Sequence, residues 1–331
     1  MSTTPAQPHN TLPVLPAHEL PLRPETQRWL VTDLWLEEAV GVLGGEPKLG
    51  KSFLALDLAV AVASGTACLR HYGVPHPGRV LLYAAEDALH IVRRRLEGIC
   101  AAAGCHLENL DIHVITAHTV RLDLAADRHR LEHTVDQLKP RLLILDPFVR
   151  LHRIDENASG EVAPLLAYLR ELQRRHRLSV LVVHHAKKGG GRIRAGQALR
   201  GSSEFHAWGD SNLYLRRNEN EITLTVEHRA AASLPPLALE LAQRGEALAL
   251  ELCVASTPTP AAPNSLDERI QRALQTAARS MPLAELREIC RVRNATLHQR
   301  LTSLTRAGHL LRDGQGYRLN PSNSLSTDSS A

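Results

Sequence analysis

Between residues 29 and 253, short apolar runs alternate with longer stretches whose apolar positions recur every three or four residues. The runs at 39–43, 80–84, 112–115, 142–145, 179–183, 212–215 and 222–226 have the length and composition of buried strands. The stretches at 51–64, 88–103, 127–138 and 161–176 have helical periodicity. Alternation of this kind predicts an α/β domain, a mostly parallel sheet covered by helices on both faces.

The pattern fails at both ends and once between them. Residues 1–28 are rich in Pro, Thr and His without periodicity and read as a flexible arm or a strap. Residues 254–265 form a Pro-rich linker, and the Ser-rich 321–331 read as a disordered tail. Residues 266–320 show a periodicity of their own. Ile270, Leu274 and Ala277 mark one helical face, a short helix follows Pro282, and Asn294 stands where it can cap a third helix carrying Leu297, Leu301 and Leu304. A hairpin with a Gly-rich tip then spans 308–319, so this segment reads as a winged helix.

Composition narrows the picture. The 331 residues suffice for two domains, and 44% hydrophobic with 22% charged is ordinary for a folded protein. Five cysteines without a C-x-x-C pair give no disulfide frame and no zinc ribbon, which suits a reducing compartment. The N-terminus lacks the basic and apolar regions of a secretory signal, and the most apolar stretch, 53–63, is too short to span a bilayer. A cytoplasmic protein with no membrane partner is expected. Lysine is scarce: only five stand beside 34 arginines, and four of the five fall in two short segments.

The first of these segments, Gly45-Glu46-Pro47-Lys48-Leu49-Gly50-Lys51-Ser52, fits G-x-x-x-x-G-K-[ST], with an apolar strand before it and a helix opening toward Phe53 after it. Residues 45–53 are therefore the expected nucleotide-binding segment, for ATP. Backbone N–H groups would cradle phosphates, Lys51 would reach the β/γ-phosphates and Ser52 would hold Mg2+.

Other strand ends extend the site. Asp146 closes the run 142–146 as a second Mg2+ ligand would. Glu86 and Asp87 follow the strand at 80–84; Glu86 is the candidate for polarising the attacking water and Asp87 for capping the next helix. His184 and His185 end a further strand, where a ring N–H can donate to a phosphate oxygen.

The segments 146–160, 183–188 and 199–203 (Asp-Pro-Phe-Val-Arg-Leu-His-Arg-Ile-Asp-Glu-Asn-Ala-Ser-Gly, Val-His-His-Ala-Lys-Lys and Leu-Arg-Gly-Ser-Ser) resemble the RepA-type branch of RecA-like ATPases, the replicative helicases of plasmids and phages and their AAA relatives. The resemblance covers residues 29–253. It implies a RecA-like core, a ring, typically hexameric, and Mg-ATP hydrolysis between subunits. It assigns Lys51 and Ser52 to the phosphate loop, Glu86 to catalysis, Asp146 to the metal and His185 to sensing. Plasmid RepA helicases carry an arginine finger several residues beyond R-G-S-S; here that stretch, 204–215, contains no arginine. Arg229 resembles the late-strand arginine of DnaB-type rings, with Arg200, Arg216 and Arg217 as rivals.

Two basic surfaces stand out. Residues 187–200 hold Lys187, Lys188, Arg192, Arg194 and Arg200, four glycines and no acid, and follow the sensor histidines directly. A flexible cationic segment tracks phosphates without reading sequence, and in RecA-like rings such a loop contacts single-stranded DNA. The segment 267–319 has ten arginines against five acids, a charge of +5 where the whole chain has +4. Arg293, Thr296, Gln299 and Arg300 are its candidate DNA contacts, on or beside the open side of the third helix. The expected protein is an oligomeric ATP-driven DNA motor of RepA type. The alternatives are a nucleotide-switched DNA-binding regulator and a replication loader or scaffold.

Overall fold

Trp29–Val31 (β1) and Trp35–Leu36 (β2) form a small antiparallel ribbon, after which the chain enters the central strand Val40–Gly45 (β3). The computed structural model describes residues 14–20, 22, 24, 27–185, 204–218, 221–244, 247–253, 266–277, 279–290, 292, 294–306 and 308–320. By contact density these fall into two compact units, residues 1–253 and 254–331.

In the first unit, β3 is followed by Lys51–Ser64 (α1), Val80–Ala84 (β4), Leu89–Ala103 (α2), Ile112–Val114 (β5) and Ala125–Leu138 (α3). Leu142–Asp146 (β6), Ser159–His176 (α4), Ser179–His185 (β7), Glu204–Trp208 (α5) and Ser211–Asn218 (β8) come next. Glu221–His228 (β9), Leu237–Arg244 (β10) and Ala247–Leu252 (β11) complete the unit. One nine-stranded sheet results, in the order β11-β10-β9-β8-β3-β7-β6-β4-β5. From β8 to β5 every neighbouring pair is parallel, as expected of strands joined through helices. From β8 to β11 every pair is antiparallel. Short connections join these last strands, and a short connection cannot return a chain in parallel.

Side chains of the parallel strands alternate between two cores. Leu82, Ile144 and Leu181 join α1 and α2 on one face. Leu81, Leu143, Val180 and Val182 join α3 and α4 on the other. Helix α1 is buried nearly all round, from Leu54 through Val62. It is covered on one side by the sheet and on the others by α2 and β11. Each fully buried leucine on it contributes roughly 1.5–3 kcal/mol by removal from water. Its one acid, Asp57, is buried too; it accepts from Leu69 N at 2.8 Å and pairs with Arg70. No helix among the described residues is long and apolar enough to cross a membrane.

The second unit contains Leu266–Ala277 (α6), Leu283–Cys290 (α7), Asn294–Arg306 (α8) and the hairpin Leu310–Asp313 (β12) with Gly316–Leu319 (β13). Ile270, Leu274, Leu286, Leu297, Leu301 and Tyr317 form its separate core. Asp313 Oδ1 accepts from Gln315 N at 2.9 Å and Gly316 N at 3.1 Å, which closes the hairpin tip. All five cysteines of the chain are free thiols.

Candidate nucleotide site

The sheet brings the ends of β3, β4, β6 and β7 to one edge. Gly45 ends β3 in register with His185 on one neighbour and Leu215 on the other. A Cβ at Gly45 would stand 2.7 Å from the carbonyl oxygen of Leu215, so only glycine fits the close approach. Gly50, at φ +86, turns the loop into α1 from the left-handed region. Leu54 N then makes the first helical bond, to Gly50 O at 3.0 Å, and the N–H groups before it remain for a ligand.

Lys51 is buried, and its Nζ donates to Gly45 O at 2.9 Å and Glu46 O at 2.8 Å. The amine is thus held over the loop by the loop's own carbonyls. Burial pulls its pKa down to about 8, against the opposing fields of Asp146, Glu86 and Glu46. Asp146 ends β6 opposite Ala84 of β4, and its carbonyl accepts from Ala85 N at 2.7 Å. Burial raises its carboxyl to about 6. A hydrogen bond from Ser52 opposes the rise, as does Lys51, while Asp87 and Glu86 add to it. A hydroxyl and a carboxylate already in contact form an all-oxygen donor pair. This suits Mg2+, which takes one or two protein oxygens and completes its shell from phosphate and water. Among the described residues no group of three or more His, Cys, Asp or Glu forms a metal cluster of its own.

Glu86 lies two residues beyond β4, partly exposed, and Arg150 Nε donates to its Oε1 at 2.8 Å. Asp87 does not cap α2: the helix starts at Leu89 without a side-chain cap, and Asp87 pairs instead with Arg95. The Arg95 guanidinium lies 5.1 Å from the centre of the Phe53 ring. Glu86, Asp87, Arg95 and Phe53, with Lys48, Lys51, Ser52, Asp146 and His185, line a cavity of about 430 Å³. Such a volume lies within the usual range for a small-molecule site. Leu241 of β10 closes part of its rim. The β10–β11 hairpin is fastened to the α1 side where Arg70 donates to Leu250 O at 2.9 Å.

The two histidines separate. His185 faces the cavity, while His184 is buried on the other face and stacks on Phe205 at 4.2 Å between ring centres. Glu156 lies 3.7 Å from His184 and 3.4 Å from the buried His152. Arg229 does not approach its own chain's cavity. It follows the end of β9 paired with Ser211, and β8 runs from there to Leu215 beside Gly45. It pairs with Asp210 at 3.6 Å and donates to Ala207 O. Arg216 and Arg217 instead lie at the cavity end of β8.

Lys187, Lys188, Arg192, Arg194, Arg200 and Arg293 lie outside the described residues, as does the side chain of Thr296. Gln299 is exposed on α8. Arg300, expected to face outward for DNA, is engaged by Asp267 of α6 through both Nε and Nη2. Sequence reading also missed Arg95, Arg150 and Leu241. The run Arg93-Arg94-Arg95 just beyond Glu86 was a usable signal for the first; the other two arrive through loop and hairpin geometry.

A family described as the AAA domain matches residues 5–191. Among solved structures, the chain is similar to one described as "The Structure Of A DnaB-Like Replicative Helicase And Its Interactions With Primase", with 12% identity and a TM-score of 0.51. The match covers 64% of this chain and 59% of that one, so this chain corresponds to part of the helicase's length. At that identity the likeness is one of fold.

Proposed function

The chain belongs to the AAA-domain family and is an ATP-hydrolysing enzyme, and from that premise we propose that it is an oligomeric Mg-ATP-driven motor on DNA, a RepA-like replicative helicase of a plasmid, phage or mobile element. One observation carries the reading. Lys51, Ser52, Glu86, Asp146 and His185 converge on a single cavity, and the cationic segment 187–200 continues directly from the last of them.

In this reading Lys51 leaves the loop carbonyls to offset phosphate charge. Ser52 and Asp146 would hold Mg2+, which would supply charge neutralisation at the phosphates when bound. Glu86, released from Arg150, orients the attacking water. His185 donates to the γ-phosphate and passes loss of that contact to residues 187–200, which grip single-stranded DNA through phosphates. Arg229 serves as the finger of a neighbouring subunit's site. Its place at the far end of the sheet from its own cavity is what a head-to-tail ring requires.

We read the second unit as a winged helix; its three helices, its hairpin and the charge of +5 over residues 267–319 support that reading. The same unit favours a second function, a DNA-binding regulator whose nucleotide state sets assembly. Two measurements separate the readings: mass in solution with a non-hydrolysable ATP analogue, and strand displacement on a forked duplex. A ring that separates strands with Mg-ATP supports the motor. An assembly that binds duplex tightly and never separates it supports the regulator.

A further inference from the structure

A groove between α2 and β5 carries none of the nucleotide chemistry. It holds about 700 Å³, and Val92, Leu96, Leu107 and Val114 are among its walls. Two cysteines also line it, Cys100 near the end of α2 and Cys105 just beyond the helix. Cys100 is buried and Cys105 is partly exposed, and both are free thiols.

The way α2 ends brings the two together. Gly104 takes the left-handed conformation at φ +70. Its N–H donates to Ala101 O at 3.3 Å, and Cys105 N donates to Cys100 O at 3.0 Å. These two bonds make a Schellman motif, in which the side chains of the residues joined by the longer-range bond come into contact. Here both of those residues are cysteines. The 3.0 Å bond holds their Cα atoms within about 7 Å of each other, and disulfides form at Cα separations of about 4.4–6.8 Å. The Cys100 thiol also responds to its neighbour. Burial pushes it up to about 12, and the charge of Cys105 and a hydrogen bond with it add to the rise.

The other three cysteines are placed differently. Cys68 and Cys290 are buried. Burial, with the charges of Glu240 and Glu221, raises the Cys253 thiol. The thiolate is the reactive form, so each of these surroundings slows attack on an oxidant. Cys105, partly exposed on the groove, is the thiol that a small oxidant reaches first, with Cys100 directly behind it.

We propose that Cys105 and Cys100 are a modification site, a dithiol that a hydroperoxide closes to a disulfide. The Cys105 sulfur attacks hydrogen peroxide: an S–O bond forms, the O–O bond breaks, and a sulfenic acid and one water result. The Cys100 sulfur then attacks the Cys105 sulfur. An S–S bond forms, the S–O bond breaks, and the hydroxide leaves with the Cys100 proton as a second water. The two sulfurs lose two electrons and the peroxide gains them. A small thiol reverses the closure by exchange, so in a reducing compartment the disulfide is transient. While it lasts it ties the end of α2, the helix that brings Arg95 to the nucleotide cavity, to the chain that continues into the groove wall at Leu107.

The test treats the reduced full chain, freed of reductant, with hydrogen peroxide near equal concentration and maps the products by mass. Trypsin, cutting after Arg95 and Arg121, releases residues 96–121 as one peptide that holds both cysteines. This peptide is expected to become lighter by two hydrogens, to resist iodoacetamide, and to recover both thiols with dithiothreitol. It is expected to react at least about tenfold faster than Cys68, Cys253 or Cys290. In Cys100→Ser, Cys105 is expected to stop at the sulfenic acid, which dimedone traps. In Cys105→Ser, Cys100 is expected to oxidise at least about tenfold more slowly than the wild-type pair. The wild-type peptide decides the matter even where a variant fails to fold. If it gains oxygen instead of losing hydrogen, or keeps both thiols while Cys253 is consumed, the pair does not close and the proposal is wrong. Cys100→Ser protein that still yields the lighter 96–121 peptide would overturn it as well.

Discussion

Arg150 Nε donates to Glu86 Oε1 at 2.8 Å, tying the candidate base to the turn that follows Asp146. An oxygen held by a guanidinium is withheld from water. The pair is partly exposed, so it contributes little to stability. Arg150→Ala is expected to raise basal ATP turnover about threefold or more and to leave the melting temperature unchanged. A fall in turnover in a normally folded variant would show instead that Arg150 positions Glu86 for the reaction.

Asp146 gives a pH signature. Its carboxyl sits at about 6 in the folded chain against an ordinary 3.8. Folding thus favours its protonated form. The associated stability is full below pH 3.8 and is lost as pH rises through about 6. Asp146→Asn removes that cost. Without nucleotide, the variant is expected to melt about 2–6 °C above wild type at pH 8 and about half as far above it at pH 5, while ATP turnover disappears. An equal shift at both pH values would contradict the assignment of the ionisation cost to Asp146.

Much of this site is written in strand ends. The P-loop spacing and the aspartate closing a Leu-rich run place Lys51, Ser52 and Asp146 because each lies at a fixed offset from a strand or helix boundary. The strands β10 and β11 are different. Leu-Ala-Leu-Glu-Leu-Ala-Gln-Arg and Ala-Leu-Ala-Leu-Glu-Leu are built from helix-favouring residues, and pairing of β10 onto β9 and of β11 onto β10 overrides that propensity. Leu241 therefore reaches the cavity through a hairpin that local preference conceals. Arg300 stays exposed on the third helix, as its position suggested, and α6 supplies Asp267 as an ion-pair partner that spacing along the chain did not reveal.

The phosphate loop has no room at its first glycine. Gly45→Ala would set a methyl carbon 2.7 Å from Leu215 O, a backbone atom of a central strand. The loop and β8 must part, at a cost of roughly 1–3 kcal/mol. Urea denaturation should register that loss with an unchanged slope, together with weaker nucleotide binding. Wild-type stability and affinity would mean the strands adjust freely.

If residues 187–200 meet single-stranded DNA by charge alone, their contribution is a salt effect. Lys187→Ala with Lys188→Ala should lower the steepness of log K against log salt by about 1.4, without changing base preference. A slope equal to wild type would remove these lysines from the DNA contact.

The central claim is that one site, built around Lys51, hydrolyses ATP in response to a DNA strand. Phosphate release by the full-length chain at saturating Mg-ATP, titrated with single-stranded DNA, measures it most directly. The account predicts a saturable rise of about fivefold or more in the wild type and, in a folded Lys51→Ala variant, loss of both basal and stimulated turnover by at least about a hundredfold. Turnover indifferent to the strand, or surviving in Lys51→Ala, would contradict it.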